Sequence, residues 1–540
     1  PGTYREAVAD LVWDAGKVKE SPLLVEGRGV VWTGADLWPT GRWTRKNGLW
    51  SAPWTANFGN FGYSWGAPKI LGHRSEMLAV NGRPMMPRIL DGYAVDGAFQ
   101  DNDRAGEIRY RFTDERDPAT VLQPGEFGVS DRRGRIWFRP RDGETPTAIE
   151  PSLRPVLLDL RGKRNVSIRG IRFVRAANSD RDFGSETPLR LGTGDRAPEN
   201  VLLDECAFDD NAHGGLYLAG KRITLRRCVA DGNGGSGIAG SGIDDMLWIG
   251  NRTNHNVWRL WRAGEIGHYT GGFKLHETRG HTIRGHEAIG NATMGLWWDI
   301  HCKRVRISDV VAVDNTVNVQ FELGAGPFVM DRALVAGGRA DDGLHLWEAG
   351  DTRVTNSIFT TDYVGNGWTG LYNLRWFGRD DSHAAKEPIP VGTNETENNV
   401  FVGTPNVKWF GMIDDIRSPE AKAAGPIRYV GRRNVFWSPT LPDFRDRWQW
   451  DPGRKGDLAA RRLDPALWVR EWRREIAPRR LDPMLVDPAR GDYRIGPGSP
   501  LATDPSLPRV RLSAGTRAEL ARRTAWSGFT PRSWGALPPE

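Results

Sequence analysis

Gly272-Phe-Lys-Leu-His276, Gly295-Leu-Trp-Trp-Asp299, Asn318-Val-Gln-Phe-Glu322 and Gly343-Leu-His-Leu-Trp347 are four short phrases of one kind, and their starts lie 23, 23 and 25 residues apart. Successive side chains of a strand point to opposite faces of the sheet. Phe273, Leu275, Leu296, Trp298, Val319, Phe321, Leu344 and Leu346 share one parity, and all of them are apolar. Lys274, His276, Trp297, Asp299, Gln320, Glu322, His345 and Trp347 share the other, and they are charged, polar or aromatic. If each phrase is a strand and each interval one turn of a coil, equivalent positions stack in ladders. The first set is then the core, and the second is an outward-facing panel of chemically equipped side chains.

The same rhythm extends to both sides of the four phrases. Arg164-Asn-Val-Ser-Ile-Arg-Gly-Ile-Arg-Phe returns as Glu199-Asn-Val-Leu-Leu-Asp-Glu-Cys-Ala-Phe, as Lys221-Arg-Ile-Thr-Leu-Arg-Arg-Cys-Val-Ala and as Lys303-Arg-Val-Arg-Ile-Ser-Asp-Val-Val-Ala. Asn211, Asn233, Asn291 and Asn315 close equivalent half-repeats. Short β segments at a period of about 20–30 residues are the signature of a β solenoid, in which one turn cannot bury its own apolar face but stacked turns can. A stacked asparagine at one bend satisfies corner backbone groups amide to amide. A propeller blade needs about 40–50 residues. The fold expected is all-β, a right-handed parallel β-helix. Cys206 and Cys228 occupy matching contexts and read as one inward ladder position; with Cys302 they form neither a metal motif nor a disulfide framework.

Four parts follow from the texture of the chain. Residues 1–42 read as a first turn or cap. Residues 43–148 combine a Trp- and Gly-rich passage with alternating pieces such as Glu126-Phe-Gly-Val-Ser and Arg135-Ile-Trp-Phe-Arg, and predict an inserted β-sandwich. The β-helix occupies 149–440, interrupted by longer passages at 179–197, 252–270 and 376–394. Residues 441–540 read as a helical and irregular tail on the solenoid, with helix-forming sequence over 458–476.

Composition excludes several classes. No apolar run approaches the ~18 residues of a membrane span. The formal net charge of +7 is spread along the chain, without the basic cluster of a nucleic-acid footprint. Neither nucleic acid nor membrane is an expected partner; homo-oligomerisation is left open. The 24 Trp and 65 Gly suit many tight corners and aromatic platforms for sugars, though for any single Trp a core role is the better reading. The chain opens at Pro1, and the expectation is a secreted or periplasmic protein whose signal peptide has been removed.

Asp299 and Glu322 share one ladder on adjacent rungs. Strands lie ~4.8 Å apart, which would hold the two carboxyl groups about 5 Å from one another. That is the separation of retaining glycosidases, about 5–5.5 Å, whereas inverting enzymes need about 6.5–9.5 Å to admit a water. Like charges this close also favour keeping one group protonated beside an ionised partner. The shorter Asp299 suits the nucleophile and the longer Glu322 the acid/base. A solvated Asp and Glu on an ordinary sheet face is the plain alternative.

The runs Met294-Gly-Leu-Trp-Trp-Asp-Ile and Val319-Gln-Phe-Glu-Leu-Gly-Ala-Gly-Pro-Phe-Val resemble the β-xylosidases of glycoside hydrolase family 120. The resemblance implies a right-handed parallel β-helix with a β-sandwich inserted near the N-terminus. It also implies that the Asp of the first motif is the nucleophile and the Glu of the second the acid/base, which assigns these roles to Asp299 and Glu322. The sharp motifs cover about 30 residues, and Gly-Ala-Gly-Pro stands where the family pattern would end His-Gly-Pro.

Around the pair, Lys274, His276, Glu277, Trp297, Trp298, Gln320, His345 and Trp347 are the candidate substrate contacts. His276 is placed to orient Asp299 or bind a hydroxyl, and Lys274 to bind substrate or offset the acids. Trp54 and Trp65 are weaker candidates for one end of the pocket. The activity expected is a retaining, exo-acting glycoside hydrolase on xylo-oligosaccharides or a related glycan. The rivals are a polysaccharide lyase with a basic side chain as base, and a non-catalytic carbohydrate-binding β-helix. No cofactor or catalytic metal is required; Asp244 and Asp245 are weighed as a structural calcium site, with a bend role preferred.

Overall fold

The computed structural model describes residues 2–8, 23–56, 74–96, 109–179, 186–259, 270–337, 342–361, 370–376, 392–403, 409–415, 428–438, 448–451, 475–488, 492–505, 507 and 512–521. It is a right-handed parallel β-helix with a β-sandwich insert. The chain divides into two compact units, one of 1–221, 226–240 and 255–271, the other of 222–225, 241–254 and 272–540.

The first unit holds solenoid turns and the insert. The strand Arg164–Val174 pairs in parallel with Leu23–Thr33, Glu199–Asp204 and Ala207–Asp209. Trp32, Phe173 and Phe208 stack along its core. In the insert, Thr44–Lys46, Leu49–Pro53, Arg135–Arg139, Glu126–Ser130 and Met86–Ile89 form one sheet, and Ile149–Pro151, Leu78–Val80 and Arg83–Pro84 another. The pairing of Ile149–Pro151 with Leu78–Val80 carries the insert past the expected limit at 148. Trp38, Trp43, Trp50 and Trp54 are buried together with Phe127 and Phe138. These four tryptophans are core filler of the insert. Ala207 bridges Val229 in parallel, which puts Cys206 and Cys228 on neighbouring rungs; both are free, buried thiols, as is Cys302.

The second unit shows the coil most fully. One face runs through Arg279–Ile289, Lys303–Val313, Gly326–Asp331, Thr352–Thr355, Thr393–Glu397 and Arg428–Arg432. The next runs through Met294–Trp298, Val317–Gly324, Asp342–Ala349, Gly370–Trp376, Trp409–Asp415 and Trp448–Asp451. Leu334–Ala336, Ile358–Thr361, Val400–Gly403 and Val435–Trp437 line the third. Because Trp448–Asp451 and Glu475–Ile476 still pair with preceding turns, the solenoid continues beyond 440. Of the helix expected over 458–476, residues up to 474 lie outside the described residues, and Glu475–Ile476 is a strand. Tyr493, Leu501, Leu507 and Leu520 of the tail pack on Val311, Leu334, Ile358, Val400 and Val435, covering apolar surface that the third face would otherwise present to water.

Asparagine ladders cross the bends, and they have more members than the spacing shows. Asn211 donates to Asn233, and Asn233 to Asn256. In the second unit Asn291 donates to Asn315, and Asn315 to Asn318. This explains the glycines that open two of the four phrases. A Cβ on Gly295 would lie 2.6 Å from Asn315 Nδ2, and one on Gly272 would lie 2.7 Å from Asn291 Nδ2. Asn318 holds the corresponding place in the third phrase and itself joins the ladder. Asp245 has a left-handed φ of 57° within the strand Ile238–Arg252. The passages at 179–197, 252–270 and 376–394 and Trp65 fall partly or wholly outside the described residues.

Candidate active site

The four phrases fall on strands Gly271–His276, Met294–Trp298, Val317–Gly324 and Asp342–Ala349. Register places Trp297 beside Gln320 and Gln320 beside His345, and places Glu322 beside Trp347. Trp298 pairs with Phe321, so Asp299 and Glu322, one residue further on, stand on adjacent rungs. The apolar parity forms a continuous column: Phe273 meets Trp298 edge-on at 4.8 Å, Trp298 stacks on Phe321 at 4.9 Å, and Phe321 packs on Phe328 at 4.6 Å.

The panel on the other face is not a solvated surface. Lys274, Trp297, Asp299, Gln320, Glu322 and His345 are all buried, each no more than 7% exposed, and Trp347 is half-buried. Buried polar groups are costly unless partnered, and both carboxylates have partners. Asp299 Oδ2 takes a charged hydrogen bond from Lys274 Nζ at 2.8 Å, and His276 Nε2 lies 3.5 Å from the same oxygen. Its Oδ1 accepts from the Ile300 N–H at 2.8 Å. Lys274 Nζ also sits 3.2 Å from the centre of the Trp297 ring, a cation–π contact. Glu322 Oε2 accepts instead from Gln320 Nε2 at 2.6 Å. One acid is thus held by a cation and the other by a neutral amide.

Electrostatics follow those partners. Burial pushes the Asp299 carboxyl upward, but Lys274, with the Ile300 N–H, more than reverses it and holds the group below the ordinary aspartate value. Burial, reinforced by Lys274, lowers His276 to about 4, so the imidazole is neutral at pH 7 and Lys274 is the charge that matters there. Burial also draws Lys274 below the ordinary lysine value, opposed first by Asp299 and then by Glu322. Asp299 is accordingly an ionised carboxylate inside a covered site.

The Ile300 contact has a local cause that the even spacing of the phrases hides. After His276, Glu322 and Trp347 the chain turns at once through a left-handed residue, at Glu277, Leu323 and Glu348. After Asp299 the left-handed residue comes one position later, at His301. The additional residue, Ile300, turns its N–H back onto the Asp299 carboxylate.

Three of the suggested residues are corrected. Trp298 belongs to the core, fully buried with its Nε1 donating to His281 Nδ1 at 3.1 Å; its parity outweighs its place next to Asp299. Glu277 is exposed at the corner, where Ser241 Oγ donates to its Oε2, and it is not among the buried groups of the panel. Trp54, suggested for a pocket wall, is core of the insert, 6.0 Å from the Trp38 ring. His345 and Trp347 meet edge to face at 4.4 Å and extend the panel past Glu322.

A family model described as a right handed beta helix region matches residues 193–361. Comparison with curated protein sequences finds no significant match. Among solved structures, the complex of XylC with xylose is similar at 13% identity with a TM-score of 0.51, covering 85% of this chain and 81% of that one. A structure described as a glycoside hydrolase is similar at 10% identity with a TM-score of 0.32, covering 84% of this chain and 89% of that one.

Proposed function

We propose that this protein is a retaining glycoside hydrolase acting on xylo-oligosaccharides or a related neutral glycan. The observation that carries the reading is the unequal partnering of two buried carboxyl groups on adjacent rungs. Lys274 and the Ile300 N–H keep Asp299 ionised, as a nucleophile must be, while Glu322 Oε2 accepts from the neutral Gln320 amide. The rung spacing of ~4.8 Å suits double displacement and leaves no room for an interposed water.

In the first step an Asp299 carboxylate oxygen attacks the anomeric carbon as the glycosidic bond breaks, and Glu322 gives its proton to the departing oxygen. In the second, Glu322, now ionised, takes a proton from water. That water attacks the anomeric carbon and releases Asp299 with overall retention. Trp347, half-buried at the end of the panel, offers a face for the sugar. The fold likeness to a protein solved with xylose supports a pentose as the first substrate to try. A lyase reading would make Lys274 the base; its Nζ is bound to Asp299 at 2.8 Å and is poorly placed for that task.

A panel of aryl glycosides (xyloside, arabinofuranoside, fucoside, glucoside), with NMR of the first-formed anomer, tests the proposal. Net retention is expected on the accepted substrate. Inversion, or an unsaturated product from a uronate-containing polymer with no hydrolysis of any glycoside, overturns it.

A further inference from the structure

Gln320 lies on the same strand as Glu322 and, two residues before it, on the same face. Its side chain is 2% exposed. Its Nε2 donates to Glu322 Oε2 at 2.6 Å, and its Oε1 has no hydrogen-bond partner among the described residues. A buried amide that uses its donor on a carboxyl group and keeps its acceptor in reserve is an incomplete relay. Such a group is costly until something supplies the missing donor.

Resting on the glycosidase reading above, we propose that Gln320 is the positioning residue of the acid/base. Its N–H occupies Oε2 of Glu322 as an acceptor, so the acidic proton resides on Oε1, the oxygen that delivers it to the leaving group. Its own Oε1 accepts from a hydroxyl of the bound sugar, which locks the amide, and through it the carboxyl, in the productive orientation. Trp297 and His345 flank Gln320 on the two adjoining rungs and confine its amide. The other charged groups of the panel, Lys274 and Asp299, are bound to each other, and the Lys274 charge also acts on Glu322.

The role is read out by leaving-group dependence, which packing alone would not change. Glu322→Ala first calibrates the series, losing most on aryl glycosides with poor leaving groups and least on those needing no protonation, such as dinitrophenyl glycosides. Gln320→Met keeps length and removes both polar atoms. Its kcat/KM is expected to fall about 10- to 100-fold on poor leaving groups, the range for a hydrogen bond to a charged group, and less than about 3-fold on dinitrophenyl glycosides. The alkaline limb of its pH profile moves upward, because the donor favouring the ionised carboxylate is gone. Gln320→Glu, which keeps the shape but removes the donor, shows the same pattern and guards against a fold defect in the first variant. Equal losses across the series with an unmoved alkaline limb in both variants overturn the Gln320 role while leaving the glycosidase reading intact. If Glu322→Ala itself shows no leaving-group dependence, the acid/base assignment falls and the Gln320 role falls with it.

Discussion

The two faces of the strands Met294–Trp298 and Val317–Gly324 are both buried but opposite in chemistry. Toward the solenoid axis lie Leu296, Trp298, Val319 and Phe321, apolar and stacked in register. On the other side lie Trp297, Asp299, Gln320 and Glu322, also buried but carrying charge and amide groups. The core face is what any solenoid requires, since its turns become stable only by burying one apolar column. The panel face stabilises nothing that a row of leucines would not stabilise better, because buried ion pairs at best roughly recover their desolvation. Adjacent side chains on one backbone therefore separate what holds the fold from what the fold is for.

The sharpest way to break that contrast is at the ion pair. Asp299→Asn should reduce turnover by about 10³-fold or more, on the scale of losing a covalent nucleophile. It should also destabilise the protein by about 3 kcal/mol, because Lys274 becomes an unbalanced buried charge. The double variant Lys274→Met with Asp299→Asn should recover most of the stability and none of the turnover, as measured by urea unfolding beside steady-state kinetics. If the double variant is no more stable than the single one, Lys274 and Asp299 do not form the coupled pair described here.

A second contrast lies between neighbouring tryptophans. Trp298→Ala opens a cavity between Phe273 and Phe321 and should cost about 3–5 kcal/mol. Trp297→Ala removes a ring that faces the panel and holds Lys274 by a cation–π contact worth about 0.5–2 kcal/mol. It should unfold at a urea concentration much closer to that of the unmodified protein while raising KM. Equal unfolding midpoints for the two variants would erase the distinction between the faces.

Much of this was legible in the sequence because alternation and turn length are local properties. The period of the four phrases brings Asp299 and Glu322 to one ladder, and the parity of Phe273, Leu275, Leu296 and Phe321 identifies the core side. What resisted reading depends on contacts that a period does not encode. The burial of the panel is one such property: alternation gives the side of the sheet, not its exposure. Trp298 was drawn into the site by its neighbour Asp299, although its own parity assigns it to the core. Asn256 and Asn318 stand outside the even pattern because one falls in the interrupting passage at 252–270 and the other opens a strand, where a bend residue is not sought. The Ile300 contact depends on a corner displaced by one residue, which leaves the spacing of His276, Asp299 and Glu322 unchanged.

The smallest effect tests the core face by pH. His281 and His286 are buried in the solenoid, His281 accepting from Trp298 Nε1 and His286 Nε2 lying 3.0 Å from Thr253 Oγ1. Burial lowers His286 to about 3 and pushes His281 well below the ordinary histidine value. In the unfolded chain both titrate near pH 6.5. Folded and unfolded states are alike in protonation above that value; below it the unfolded chain takes up protons that the folded core refuses. Stability is therefore full above about pH 6.5 and falls with acidification, by about 1.4 kcal/mol per pH unit for each histidine, until the folded value is reached. His286→Gln, which keeps a hydrogen-bonding group near Thr253 and cannot titrate, should remove one histidine's share of that slope between pH 6.5 and 5. Urea unfolding of the two proteins at several pH values measures the difference directly, and parallel slopes would mean that His286 becomes protonated within the folded core.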